Sequence, residues 1–171
     1  QVAASLPEAY KDVDYSPILD SAGHSHAADW CNEPYERGTL YPEKLIHTTQ
    51  NGLRVRSKSE SIIAGMLETY GIPFRYEAHL KLGGNDYYPD FTILNPQDNK
   101  IVYWEHFGMV DKEEYAESMH KKMENYIKHG ILQGDNLIVT METKDSPLNA
   151  RKIRNTIKAH LLQESRAFDT T

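Results

Sequence analysis

The run Tyr87-Tyr88-Pro89-Asp90-Phe91-Thr92-Ile93-Leu94-Asn95-Pro96-Gln97-Asp98-Asn99-Lys100-Ile101-Val102-Tyr103-Trp104-Glu105 reads as one β-hairpin with a carboxylate at each open end. Phe91 to Leu94 forms one strand and Ile101 to Trp104 the other. Between them Asn95 to Asn99 is dense in turn formers, and Pro96 fixes φ where a turn wants it. If Asn95 pairs with Lys100 around a four-residue loop, facing residues share one number sum, and Asp90 falls opposite Glu105. Cross-strand partners hold their Cβ atoms roughly 5 Å apart on one face. Two carboxylates that close repel unless a cation or a shared proton intervenes. Hard oxygen ligands at this spacing suit Mg²⁺ or Mn²⁺. The register thus turns a hairpin into a candidate metal site.

Outward from the hairpin the pattern stays regular. Ser57-Lys58-Ser59-Glu60 has the form of a capping box, and Ile62, Ile63, Met66, Leu67 and Tyr70 follow at helical spacing. Gly71 supplies a left-handed stop and Pro73 prevents continuation. Phe74 to Leu82 alternates loosely and predicts a strand ended by Gly83-Gly84-Asn85-Asp86. Downstream, Asp111 with Glu114 repeats the capping form and starts a helix ending at Gly130. Its apolar stripe is Tyr115, Met119, Met123, Tyr126 and Ile127. Leu137 to Met141 is a short buried strand. Pro147, at a first-turn position, starts a last helix with Ile153, Ile157 and Leu161 on its inner face. Helix, three strands, helix, strand, helix predicts an α/β fold, a mixed sheet with helices on both faces. Residues 1–50, punctuated by Pro7, Pro17, Gly23, Pro34, Gly38 and Pro42, predict an irregular N-terminal embellishment on a core over residues 51–171.

Composition narrows the function classes. At 171 residues, 39% hydrophobic and 26% charged, the chain fits one soluble globular domain. No apolar run approaches the roughly 18 residues that span a bilayer, and no signal segment is visible. The single Cys31 excludes an internal disulfide framework and fits a reducing, cytoplasmic setting. A net charge of −6 argues against a general nucleic-acid coat protein, not against an enzyme with acidic catalytic groups. Basic residues cluster at Arg54/Arg56/Lys58, Lys121/Lys122/Lys128 and Arg151/Lys152/Arg154/Lys158, and each cluster reads equally as a solvated helix face. His24, His26 and Cys31 lack the second ligand pair that zinc requires. His79, His120, His129 and His160 are expected on the surface. Tyr87 and Tyr88 could stack on bases, although core packing accounts for most of the 11 tyrosines.

Three motifs fall in order on these elements: Arg56-Ser57-Lys58-Ser59-Glu60, Tyr88-Pro89-Asp90-Phe91, and Trp104-Glu105-His106-Phe107-Gly108. Together they resemble the PD-(D/E)XK nuclease superfamily and, more narrowly, an uncharacterised bacterial branch of it, over about residues 52–165. The resemblance implies a restriction-endonuclease-like αβββαβ core. It implies Mg²⁺- or Mn²⁺-dependent hydrolysis of DNA phosphodiesters by an endonuclease, with RNA a weaker option, acting alone, as a homodimer or in a larger nuclease complex. Asp90 and Glu105 would hold the ion, Glu60 would hold a second ion or orient the water, and the backbone carbonyl of His106 would add a ligand. The His106 imidazole should point to the opposite sheet face.

The superfamily pattern places a lysine two residues after Glu105, where this chain has Phe107. Two readings follow: the lysine has migrated, or catalysis has been lost. Lys122 is the preferred replacement. It lies seven residues after Tyr115, so its stem can rest on the core while the ammonium reaches inward; Lys58 is the second choice. Arg56, Lys58 and Lys121 would hold the phosphate backbone. Glu77 reads as an accessory acid or, more simply, as a surface glutamate at a strand end. Glu60 alone is fully explained by capping. A catalytically inactive nucleic-acid-binding or assembly module is the alternative that Phe107 keeps open.

Overall fold

The computed structural model describes residues 26–108 and 112–162, which fall in two units, residues 1–33 and 34–171. In the first unit a short helix covers residues 26–32, with Cys31 exposed. His24 lies outside the described residues.

The second unit opens with loops and a 3-10 turn at Pro42–Lys44. A small ribbon follows, with β1 (His47–Thr48) antiparallel to β2 (Arg54–Val55). Then come α1 (Lys58–Thr69), β3 (Phe74–Tyr76), β4 (Leu80–Leu82), β5 (Asn85–Tyr87), β6 (Phe91–Leu94), β7 (Ile101–Phe107), α2 (Glu113–Lys128), β8 (Leu137–Met141) and α3 (Ala150–His160). The main sheet has the order β3-β6-β7-β8. Its first two pairings are antiparallel and β7–β8 is parallel, with α2 in the crossover. The protein is a mixed α/β fold with a mixed sheet.

The hairpin has the register that its turn dictates. Asn95 N–H donates to the Lys100 carbonyl at 2.8 Å, and Phe91 faces Trp104. One step further, Asp90 stands level with Glu105. Alternation along β7 divides the strand between two cores. Val102 and Trp104 join Phe91, Ile93, Ile63, Leu67, Ile153 and Ile157 in the layer under α1 and α3. Tyr103 faces the other way, with Leu137 and Tyr126 under α2. Ile63, Ile153 and Ile157 are fully buried, each contributing about 1.5–3 kcal/mol relative to exposure. That packing fixes which β7 side chains face α2, and Glu105 is among them.

Several local expectations need correction. The strand from Phe74 to Leu82 is broken, because Glu77 takes φ +48 and turns the chain out of the main sheet. Asn85 to Tyr87 is a strand and not a loop. Gly83 and Gly84, at φ +55 and +85, make the tight two-residue turn that pairs it with β4. The cap placed at Asp111 lies outside the described residues; α2 begins at Glu113, and Lys112 before it makes no side-chain cap. Ile127 is 56% exposed, since Tyr126 takes the seam one residue earlier. The last helix is started by Asn149, whose side chain accepts from Lys152 N–H at 3.0 Å, and Pro147 lies upstream of it. Ser57 does cap α1, accepting from Glu60 N–H at 3.1 Å, and Gly71 ends it at φ +64. Among the described residues no helix is long and apolar enough to cross a membrane.

Candidate functional site

Asp90 precedes β6 and Glu105 lies within β7, so the site is built on the end of a hydrogen-bonded ladder. The main chain anchors Asp90 twice: its carbonyl accepts from Glu77 N–H at 3.1 Å, and its Oδ2 accepts from His106 N–H at 2.6 Å. Tyr103 N–H and the Phe107 carbonyl bond toward the β8 side. By alternation the His106 N–H and carbonyl face the β6 side, beside Asp90.

Glu105 is 2% exposed and points under α2. Its Oε1 accepts from the Tyr126 hydroxyl at 2.7 Å and lies 2.7 Å from Lys122 Nζ. Lys122 occupies the seam of α2 between Tyr115 and Tyr126, so its stem runs along the apolar face and its ammonium ends on the carboxylate. Phe107, at the position of the expected lysine, is buried and packs edge-on against Tyr115.

The electrostatics are unbalanced. Burial, the neighbouring Glu105 and the more distant Glu60 push the Asp90 carboxyl well above the ordinary carboxylate range, against the pull of Lys122 and the His106 N–H. Burial alone would lower Lys122, but Glu105 and Asp90 outweigh it and hold its ammonium charged above the usual lysine value. Burial, reinforced by Glu105, pushes the Tyr126 hydroxyl far up, so it is a neutral donor. Burial also raises Tyr115, whose hydroxyl oxygen accepts from Gly108 N–H at 3.3 Å within the field of the same carboxylates. One lysine therefore faces two adjacent carboxylates, with Glu60 behind them.

Glu60 is held away from the pair. Its Oε2 accepts from Arg56 N–H at 3.0 Å and from the Tyr76 hydroxyl. The capping box closes on Arg56 N–H instead of Ser57 N–H. Arg56 does not face solvent as a phosphate ligand. Its guanidinium pairs with both oxygens of Glu77 and donates to the Leu40 and Tyr41 carbonyls at 2.6 and 3.0 Å. Glu77 is accordingly 8% exposed and not a surface residue. Lys58 and Lys121 are exposed, Lys58 on the first turn of α1 and Lys121 beside the cleft at α2.

The His106 imidazole lies on the opposite face, as alternation requires. Nδ1 is 3.0 Å from Thr140 Oγ1, and Nε2 is 3.3 Å from Glu142 Oε1 but off line for a hydrogen bond. Glu142 also accepts from Ser59 Oγ at 2.8 Å and Leu148 N–H at 3.0 Å. Burial would raise Glu142, and these donors with His106 bring it below the ordinary range. His79, expected on the surface, is instead half-buried against Tyr88, with Nε2 at 2.7 Å from Asp86.

Lys122 stands between two adjoining clefts. One, of about 380 Å³, is lined by Asp86, Tyr87, Tyr88, Ser118, Lys121 and Lys122. The other, of about 150 Å³, is lined by Phe107, Tyr115, Ser118, Met119 and Lys122. No group of three His, Cys, Asp or Glu side chains among the described residues could hold a metal ion. An ion here would rest on two carboxylates and main-chain oxygen.

No protein-family model matches the chain, and no solved structure matches it. The chain is similar to an uncharacterised protein of Methanocaldococcus jannaschii, at 36% identity over 91 residues. That match covers 52% of this chain and 7% of the archaeal protein, so the chain spans a small part of its relative's length.

Proposed function

We propose that the protein is a divalent-metal-dependent phosphodiesterase of the PD-(D/E)XK type, with a restriction-endonuclease-like core, acting on DNA. The observation that carries this reading is the meeting of Asp90, Glu105 and Lys122 at the end of one hairpin beside an open cleft. The donor set fits a hard cation: two carboxylates and the His106 carbonyl would hold it. Burial first and then repulsion by Glu105 displace the Asp90 titration upward, and the repulsion is what a second cation would relieve. When bound, the ion would neutralise phosphoryl oxygen charge and lower the pKa of water.

The chain's own residues supply the rest. The His106 N–H fixes Asp90, and the Tyr126 hydroxyl fixes Glu105. Lys122, one quarter exposed and lining both clefts, can present its ammonium to the charge that develops in the transition state. Glu105, 2% exposed, lines neither cleft itself. Lys121 would meet the phosphate backbone without reading sequence. Phe107, buried under Tyr115, cannot replace the lysine, and this favours a second reading as a binding or assembly module if Lys122 stays locked on Glu105.

Plasmid incubated with Mg²⁺ or Mn²⁺, against EDTA, tests the reading. Cleavage by the wild type that vanishes in Asp90→Ala supports it. Binding without cutting in either ion supports the assembly module.

A further inference from the structure

A third pocket, of about 290 Å³, lies in the same unit and is lined by Gly38, Leu40, Tyr41, Lys44, Arg56, Glu77 and Tyr88. The machinery described above does not use it. Leu40 is 67% exposed and Tyr41 59%, and Lys44 Nζ sits 4.3 Å from the centre of the Tyr41 ring.

The rim is exposed but not loose. Tyr41 holds a left-handed backbone, φ +53, an unfavourable setting for a residue with a Cβ. The 3-10 turn after it closes through Lys44 N–H to the Tyr41 carbonyl at 3.0 Å. From below, Arg56 donates to the Leu40 and Tyr41 carbonyls while paired to the buried Glu77. On the other flank a Cβ at Gly38 would lie 3.3 Å from Glu77 Oε2 and 3.4 Å from the Tyr88 ring, so the absent side chain lets this loop close onto the floor. The result is a pre-set aromatic surface in which the Lys44 ammonium lies over one face of the Tyr41 ring and leaves the other for a base. Tyr88 lines both this pocket and the cleft of Lys121 and Lys122, so the two are neighbours.

We infer that the pocket at Leu40, Tyr41, Lys44 and Tyr88 receives an unpaired nucleobase of a single DNA strand whose backbone continues past Tyr88 toward Lys122. Aromatic faces accept any base by stacking, and a neighbouring ammonium meets the adjoining phosphate. A paired base has no free face to offer. The pocket therefore selects single-stranded segments, such as an overhang or a displaced strand. This rests on the phosphodiesterase reading for its substrate class but not for its test.

The test is fluorescence anisotropy with a labelled single-stranded oligonucleotide, the same strand as blunt duplex, and an abasic strand of equal length, all in EDTA so that nothing is cut. The proteins are wild type, Tyr41→Ala and Tyr41→Phe; Tyr41 is on the surface, so folding is not at risk. Tyr41→Ala is expected to bind the single strand about 5- to 100-fold more weakly, with Tyr41→Phe near wild type and the abasic strand indifferent to both. Equal single-strand affinity in wild type and Tyr41→Ala overturns the inference, as does an equal loss on the abasic strand or a wild type that binds no single strand. If the binding pattern holds and no metal yields cleavage, the base pocket stands and the hydrolase reading fails. If cleavage depends on Asp90 but Tyr41→Ala changes nothing, the pocket alone fails.

Discussion

Lys122 and Tyr126, one turn apart on α2, converge on a single oxygen, Oε1 of Glu105, each at 2.7 Å. Glu105 is thus held by a charged and a neutral donor from one helix, while Asp90 is held by the main chain of the neighbouring strand. The two remain linked through β7, since the N–H that holds Asp90 belongs to His106, the residue after Glu105.

Lys122→Met separates these roles. Cleavage should fall by about 100-fold or more, the scale set by removing one preorganised charge stabiliser. Mn²⁺ affinity should hold or rise, because a competing cation leaves Glu105. Single-turnover cleavage and calorimetry on the same protein check this, and an unchanged cleavage rate would discard Lys122 as the migrated lysine.

Tyr126→Phe removes a buried hydrogen bond to a charged acceptor while leaving the ring in its core. A loss of about 1.5–3 kcal/mol in urea unfolding is expected. A variant as stable as wild type would mean that Lys122 satisfies Glu105 alone.

Asp90 carries a pH signature. Its folded pKa is raised, so the native state keeps the proton longer than the unfolded chain. Its stabilising contribution is fully present below the ordinary carboxylate pKa and is lost as pH rises through the folded value. Without divalent ions, Asp90→Asn should therefore raise Tm at neutral pH and narrow its advantage in acid. With Mn²⁺ the wild type should gain stability with rising pH, and the variant should not. Thermal melts across pH, with and without Mn²⁺, read both effects.

Arg56→Ala tests a residue that sequence alone assigned to DNA. The guanidinium supports Glu77 and the loop at Leu40 and Tyr41. Removing one partner of a largely buried pair should cost about 2–4 kcal/mol of stability. Wild-type stability with a selective loss of duplex binding would restore the phosphate-contact role.

The hairpin and its paired acids were legible because Asn95-Pro96 leaves one register, and the register fixes both facing residues and side-chain direction. Lys122 was legible for a similar reason, as seam spacing on α2 points it inward whatever its charge. Glu77 was not. Its side chain is held by Arg56, 21 residues away in sequence, and nothing local signals its positive φ. The spacing on α2 marks Tyr126 as core, which it is, but its hydroxyl function depends on an acid from β7. The Ser59–Glu142–His106 network was missed because its members come from α1, β7 and the segment after β8, with no motif to join them.

The most direct measurement is calorimetric titration of Mn²⁺ into wild type and Asp90→Asn at neutral pH, with Mg²⁺ as competitor. One binding event is expected in the wild type, accompanied by proton release and displaced by Mg²⁺, and Asp90→Asn should abolish it. Equal binding in the two proteins, or none in the wild type, contradicts the claim that Asp90 and Glu105 share a cation.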